Sequence, residues 1–249
     1  MIELADFSKI YGCGKNRFEA VSHVSFKAVA GNVTALLGLN GAGKTTILRS
    51  VCALHYASSG NVFISGNDNI KINAAVNSAA VKRLVGFVPE QSMLPHNMTV
   101  SEILDLSADI RNLTGKEKTT AVEQVIDECS IGSIYGERIG TLSKGYGQRV
   151  SFALALLGNP PNIVLDEPSS GLDPVQIIQI RNLIKKESEH KTVLLSTHIL
   201  QEVSALCGSL IIISKGKIAA IGSEQEIIQS CGTKSFEEAF MKLTGAGNE

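Results

Sequence analysis

The sequence predicts an α/β fold, a largely parallel sheet with crossover helices, interrupted by one helical insertion. Three observations predict it. Apolar runs at 33–37, 162–165 and 192–195 have the pattern of strands buried on both faces. Helical stretches from 44 to about 54, at 176–186 and at 200–207 lie beside them, so strand and helix alternate. Between Pro89 and Pro160 the alternation stops, and residues 100–157 read as mostly helical.

In chain order, residues 2–7 and 24–29 read as short strands. The run 33–37 ends at Gly38, and a helix is expected from Lys44. Residues 61–65 form another strand, closed by a turn at Gly66-Asn67-Asp68. Residues 85–88 form a strand that Pro89 stops. Thr99 and Ser101 are candidate caps for the apolar periodic segment 102–110. Strands at 210–214 and 217–221 flank Lys215-Gly216, a hairpin turn.

A chain of 249 residues is long enough for one large α/β domain or two small lobes. Its 44% hydrophobic and 19% charged residues are an ordinary globular balance. A net charge of −1 and a pI near 6.5 leave no cationic excess to neutralise a phosphate backbone, which argues against nucleic acid as the partner. No apolar run reaches the length of about 18 residues that a membrane helix needs. The start, MIELADFSKI, lacks the cationic and apolar regions of a signal peptide, so the chain is expected in the cytoplasm. Cys13, Cys52, Cys129, Cys207 and Cys231 lie singly, without metal-ligand spacing, and read as free thiols, mostly small buried side chains.

Gly38-Leu39-Asn40-Gly41-Ala42-Gly43-Lys44-Thr45 matches G-x-x-x-x-G-K-[ST], with a buried strand before it and a helix after it. By average residue usage, a chance match in such a chain is on the order of 1 in 100. The glycines let successive backbone N–H groups curl around phosphate oxygens, and the helix start adds its positive dipole end. Asn40, Gly41, Ala42, Gly43 and Thr46 belong to this cradle, Lys44 would reach the β- and γ-phosphates of a bound nucleotide, and the Thr45 hydroxyl would ligate Mg²⁺. Downstream, Ile163-Val164-Leu165-Asp166-Glu167 is an apolar strand ending in two carboxylates. Placed next to the strand of the phosphate loop, it would bring Asp166 to the Mg²⁺ shell and set Glu167 to polarise a water as general base. An Asp-Glu pair alone is more often a cap or a solvated turn; the complete loop upstream favours catalysis.

From about Ile2 to Ser223 the chain resembles the ATP-binding cassette (ABC) superfamily. The diagnostic residues are Leu142-Ser143-Lys144-Gly145-Tyr146-Gly147-Gln148-Arg149, similar to the family signature Leu-Ser-Gly-Gly-Gln, with Lys144 in place of the first glycine and Tyr146 in place of the glutamine. The resemblance implies that Ser143 and Gly145 contact the γ-phosphate held by an opposite subunit. It implies that Tyr11 stacks on adenine. It makes Ser169-Ser170-Gly171-Leu172-Asp173 the D-loop, with Asp173 as its acid, and His198 the switch histidine that touches the γ-phosphate. It also implies a glutamine after the strand at 85–88; here Glu90 stands there with Gln91 next, and Glu90 is preferred for nucleotide and Mg²⁺ contact. His23, His55, His96 and His190 receive no role.

The fold implied is a P-loop NTPase core, 1–88 and 158–223, with a small antiparallel β subdomain, a helical subdomain at about 89–157, and a short helical tail at 224–249. The function implied is a Mg-dependent ATPase that powers a separate transmembrane permease through ATP-driven closure of a homodimer or heterodimer, peripheral on the inner face of the cell membrane. The Leu-Ser-Lys-Gly-Tyr run and the residues from Gly171 to Ile177 are similar to ATPases paired with ABC-2 type permeases, which suggests export. Membrane coupling is expected around Glu90 to Val100, where Met93, Leu94, Pro95 and Met98 are apolar. The alternative is a soluble ABC ATPase acting on ribosomal or nucleic-acid complexes; a single cassette without long coiled coils or basic excess argues against it. A degenerate regulatory cassette is opposed by the presence of Lys44, Asp166, Glu167 and His198.

Overall fold

Two sheets share the chain in a computed structural model that describes residues 1–246. The first begins with β1 (Ile2–Tyr11) and β2 (Phe18–Ala28), an antiparallel pair longer than the sequence suggested. The reason lies in the bulges. Register slips between Leu4 and Phe7 and again between Phe7 and Lys9, with Asp6 and His23 in left-handed backbone, at φ 50° and 51°. Each slip breaks the alternation that marks a strand in sequence. β4 (Ser59–Ser65) and β5 (Lys71–Asn73) complete this sheet in the order β2-β1-β4-β5. Three-residue β5 and the helix α2 (Ser78–Leu84) were not legible in the sequence; each is too short to show a period.

The second sheet holds β3 (Asn32–Leu37), β6 (Val85–Val88), β7 (Asn162–Asp166), β8 (Thr192–Thr197), β9 (Ser209–Ser214) and β10 (Lys217–Gly222), in the order β10-β9-β3-β8-β7-β6. All neighbours are parallel except β10 on β9. This corrects one expectation: β7 is not adjacent to β3, because β8 lies between them. Leu37 is in register with Thr197, and Asp166 with Ser196, so the strand ends still form one edge.

Successive strand residues face opposite layers. Leu36, Val164, Leu194, Ile211 and Ile213 pack with Phe7, Phe26 and the Ile47 and Leu48 side chains of α1 (Lys44–Val51) toward the antiparallel sheet. Leu165, Val193 and Leu195 pack the other way, against the helices between β6 and β7: α3 (Val100–Ile110), α4 (Gly115–Cys129) and α5 (Lys144–Leu156). α6 (Pro174–Ser188) adds Ile180, Leu183 and Ile184 to that layer. Leu37, Leu210 and Ile212 face a third cluster with Val203 of α7 (Leu200–Leu206), Ile227 of α8 (Glu224–Cys231) and Phe236 and Phe240 of α9 (Phe236–Thr244).

Thr99 is the cap of α3, in a reciprocal capping box with Glu102; Ser101 lies inside the helix. Met93 is 92% exposed, while Leu94 and Met98 pack on the helical core, so the segment after Glu90 is part surface and part anchor. Cys52 and Cys129 are buried and Cys13 is exposed; burial pushes the thiols of Cys129 and Cys207 up to about 12 and Cys52 higher still. No helix of the described residues is long and apolar enough to cross a membrane.

Candidate functional site

Residues 38–45 leave the C-terminal edge of β3 and turn into α1. Gly41 and Gly43 have φ of 79° and 108°, which side chains resist. A Cβ on Gly43 would sit 2.9 Å from the Ala20 carbonyl oxygen, so β2 closes against the loop only because that residue is glycine. The Gly216 N–H donates to the Ala42 carbonyl at 3.0 Å and ties the β9–β10 turn to the same loop. At the first turn of α1 the backbone N–H groups have no helical acceptor and are open to an anion.

A cleft of about 320 Å³ lies over this loop, lined by Tyr11, Phe18, Ala20, residues 40–46, Glu90, Glu167 and His198. Lys44 and Glu167 are both buried. Lys44 Nζ donates to the Gly38 and Leu39 carbonyls at 2.7 and 3.3 Å and lies 3.5 Å from Glu167 Oε1. His198, half-exposed, donates from Nδ1 to Glu167 Oε2 at 2.8 Å. Asp166 accepts from Ser196 Oγ at 2.5 Å and from Thr45 Oγ1 at 3.4 Å. Glu167 itself has φ 49° and is followed by a proline. Its N–H donates to the Ser196 carbonyl at 3.1 Å, which holds that turn to the end of β8.

The donor set suits a hard cation. Among the described residues no cluster of three or more His, Cys, Asp or Glu could hold a metal alone. One carboxylate, Asp166, beside one hydroxyl, Thr45, is what Mg²⁺ takes when water and phosphate oxygens complete its shell.

The cleft therefore gathers Tyr11, Asn40, Gly41, Ala42, Gly43, Lys44, Thr45, Thr46, Glu90, Glu167 and His198, with Gly38 and Asp166 immediately behind. Glu90 lines it and Gln91 does not. Ser143, Gly145 and Asp173 are elsewhere. Ser143 is exposed and caps α5, accepting from the Tyr146 N–H at 3.4 Å. A Cβ on Gly145 would fall 2.3 Å from the Gln176 carboxamide, and the Lys144 side chain lies across Gly171. Asp173 is exposed and caps α6 through the Gln176 N–H at 2.9 Å.

Sequence reasoning missed Phe18 and Ala20, whose strand was expected to begin at Val24; the register pairs Phe18 with Tyr11. It also missed His55, whose Nδ1 lies 2.8 Å from the Tyr11 hydroxyl with the rings edge-on at 5.8 Å, and Ser196. No short motif marks either one; both are placed by neighbouring elements.

Residues 21–170 match the family described as ABC transporter. The chain is 33% identical over 243 residues to the ABC transporter ATP-binding protein NatA of Bacillus subtilis (strain 168), covering 97% of each chain. A solved structure of the ATP-binding subunit of an ABC transporter superposes with a TM-score of 0.84 at 27% identity, over 97% of this chain and 98% of that one. The dimeric post-hydrolysis structure of the ATP-binding cassette MJ0796, bound to ADP and Pi, superposes with a TM-score of 0.80 at 27% identity, over 90% of this chain and 98% of that one.

Proposed function

The chain belongs to the ABC transporter family as an ATP-binding subunit, and on that premise we propose that it is a Mg-dependent ATPase that drives a separate permease, of the ABC-2 export type, from the cytoplasmic face of a membrane. The observation that carries the chemistry is Glu167, held between His198 at 2.8 Å and Lys44 at 3.5 Å at the mouth of the phosphate loop. Adenine stacks on Tyr11, and the phosphates lie on the amides of residues 40–46. Lys44 exchanges its loop carbonyls for β- and γ-phosphate oxygens. Thr45 and Asp166 would hold Mg²⁺, which when bound would neutralise phosphate charge. Glu167 accepts the proton of the attacking water, and His198 fixes the orientation of its carboxylate. Glu90, which lines the cleft, would meet water or the cation's shell.

Ser143, Gly145 and Asp173 complete the site of a second subunit. ATP between the two surfaces closes the dimer, and hydrolysis removes the bridge. In this reading residues 1–88 and 158–223 are the core, 89–157 the helical subdomain and 224–249 a tail. The exposed Met93 and its neighbours meet the permease. Export is supported by the Leu-Ser-Lys-Gly-Tyr run, which resembles ABC-2 partners.

The test is Glu167→Gln. ATP binding is expected to persist, phosphate release to fall by about 10²–10⁴, and ATP-dependent dimer to accumulate on size exclusion. Turnover at the wild-type rate would sink the assignment. The same variant, tagged and recovered from detergent-solubilised membranes with Mg-ATP, is expected to bring a polytopic membrane protein in near-equal amount. Recovery with ribosomal or nucleic-acid complexes would favour the soluble alternative.

A further inference from the structure

Gln148 lies on α5, five residues past its cap Ser143, and is 4% exposed. Both ends of its carboxamide are used. Nε2 donates to the Pro168 carbonyl at 3.1 Å, and Oε1 accepts from Ser92 Oγ at 3.2 Å. Ser151, one turn further along α5, donates to Ser92 Oγ at 2.7 Å, so Ser92 is held at two points of the helix. Pro168 directly follows Glu167, and Ser92 lies two residues past Glu90. One buried amide therefore bridges the turn that carries the acid and the loop that leaves β6.

That turn needs holding. Glu167 has a positive φ of 49° although it bears a side chain, and it precedes proline, which disfavours helical-type backbone in the residue before it. Such a conformation persists only where its surroundings over-determine it. The Ser196 carbonyl restrains the turn from one side, through the Glu167 N–H. Gln148 restrains it from the other, through the carbonyl of the next residue.

We propose that Gln148 is a positioning residue for hydrolysis: its carboxamide holds the Pro168 carbonyl, and so the backbone of Glu167, in register with the loop bearing Ser92 and Glu90. It does not line the cleft itself. It makes the aim of Glu167 depend on where α5 and the loop after β6 stand relative to the core. The inference rests on Glu167 as the base.

The experiment compares full-length Gln148→Met, Gln148→Glu and Glu167→Gln. Met keeps length without a donor. Glu keeps an acceptor for Ser92, lacks the donor when ionised and regains one when protonated. For Gln148→Met, nucleotide affinity is expected within about twofold of wild type while kcat falls about ten- to a hundredfold, the effect of losing one buried hydrogen bond at the reacting geometry. For Gln148→Glu, the deficit in kcat relative to wild type is expected to shrink as pH is lowered. Wild-type kcat in Gln148→Met, or kcat and nucleotide affinity lost together in step with the melting temperature, would overturn the proposal. If the Met variant does not fold, the pH profile of the Glu variant decides, and a deficit constant with pH overturns it. Full turnover in Glu167→Gln overturns both readings; loss there with intact Gln148 variants overturns only this one.

Discussion

The cleft over the phosphate loop and the surface formed by the starts of α5 and α6 each carry a sequence motif, yet the fold treats them differently. In the cleft, Lys44, Glu167 and Asp166 are buried and joined within one chain through His198, Thr45 and Ser196. On the α5–α6 surface, Ser143 and Asp173 are exposed and their side chains cap their own helices. What interlocks there, Gly145 against Gln176 and Lys144 across Gly171, joins the two helix starts to each other and not to the cleft. A charged site built to be buried must be satisfied before ligand arrives, because unpaired buried charge is costly. A surface built to meet a second molecule must remain solvated until then. The difference is what the proposed mechanism needs: a cleft joined up within one chain, and an exposed surface left for a second subunit.

The largest expected effect breaks this comparison if it fails. Lys44→Ala disables the cleft and Ser143→Arg blocks the surface, so each alone should lower ATP turnover by at least about a hundredfold. Mixed in equal amounts, they should recover about a quarter of wild-type turnover, because half of the dimers are mixed and each mixed dimer holds one intact composite site. Phosphate release from the mixture is the measurement. No recovery would mean that Ser143 does not serve the opposite subunit.

A smaller effect sharpens the cleft side. Tyr11 stands at the end of β1 with Lys9 Nζ 5.2 Å from its ring and His55 edge-on to it. Tyr11→Ala should weaken ATP about tenfold, the loss of one base–aromatic stack, with kcat nearly unchanged. Equal affinities in a fluorescent-nucleotide titration would remove Tyr11 from the site.

The smallest effect concerns the support of that ring. Burial, then Lys9 and Arg49, hold the His55 imidazole below its ordinary 6.5. The folded chain therefore binds fewer protons there than the unfolded chain does, and stability falls as pH drops through 6.5. His55→Phe should flatten that part of the melting-temperature profile, by less than about 4 °C. An unchanged profile would show that His55 does not titrate against the fold.

The contiguous motifs made much of this site legible before any coordinates. The phosphate loop needs its glycines and lysine at fixed spacing, because consecutive amides wrap one anion. Asp166 and Glu167 are neighbours because one strand end delivers both. Strands β3, β7 and β8 were legible because burial on both faces leaves their middles mostly apolar, without polar alternation. The bulged β1–β2 pair was not, because each register slip erases the alternation, and with it went Phe18 and Ala20 as cleft residues.

By itself the sequence named the residues proposed to hold phosphate and take a proton, since that chemistry is local to a loop, a strand end and a histidine. Only the tertiary structure decided how they meet. It set β8 between β3 and β7, so that Ser196 stands beside Asp166 and anchors Glu167. It brought Thr45 to Asp166 across 121 residues, Tyr11 to His55 across 44, and Gln148 to both Ser92 and Pro168. Strand order and helix placement arise from burying apolar faces that many sequences could bury equally well. The polar contacts at the edges follow from that packing, and no spacing along the chain encodes them.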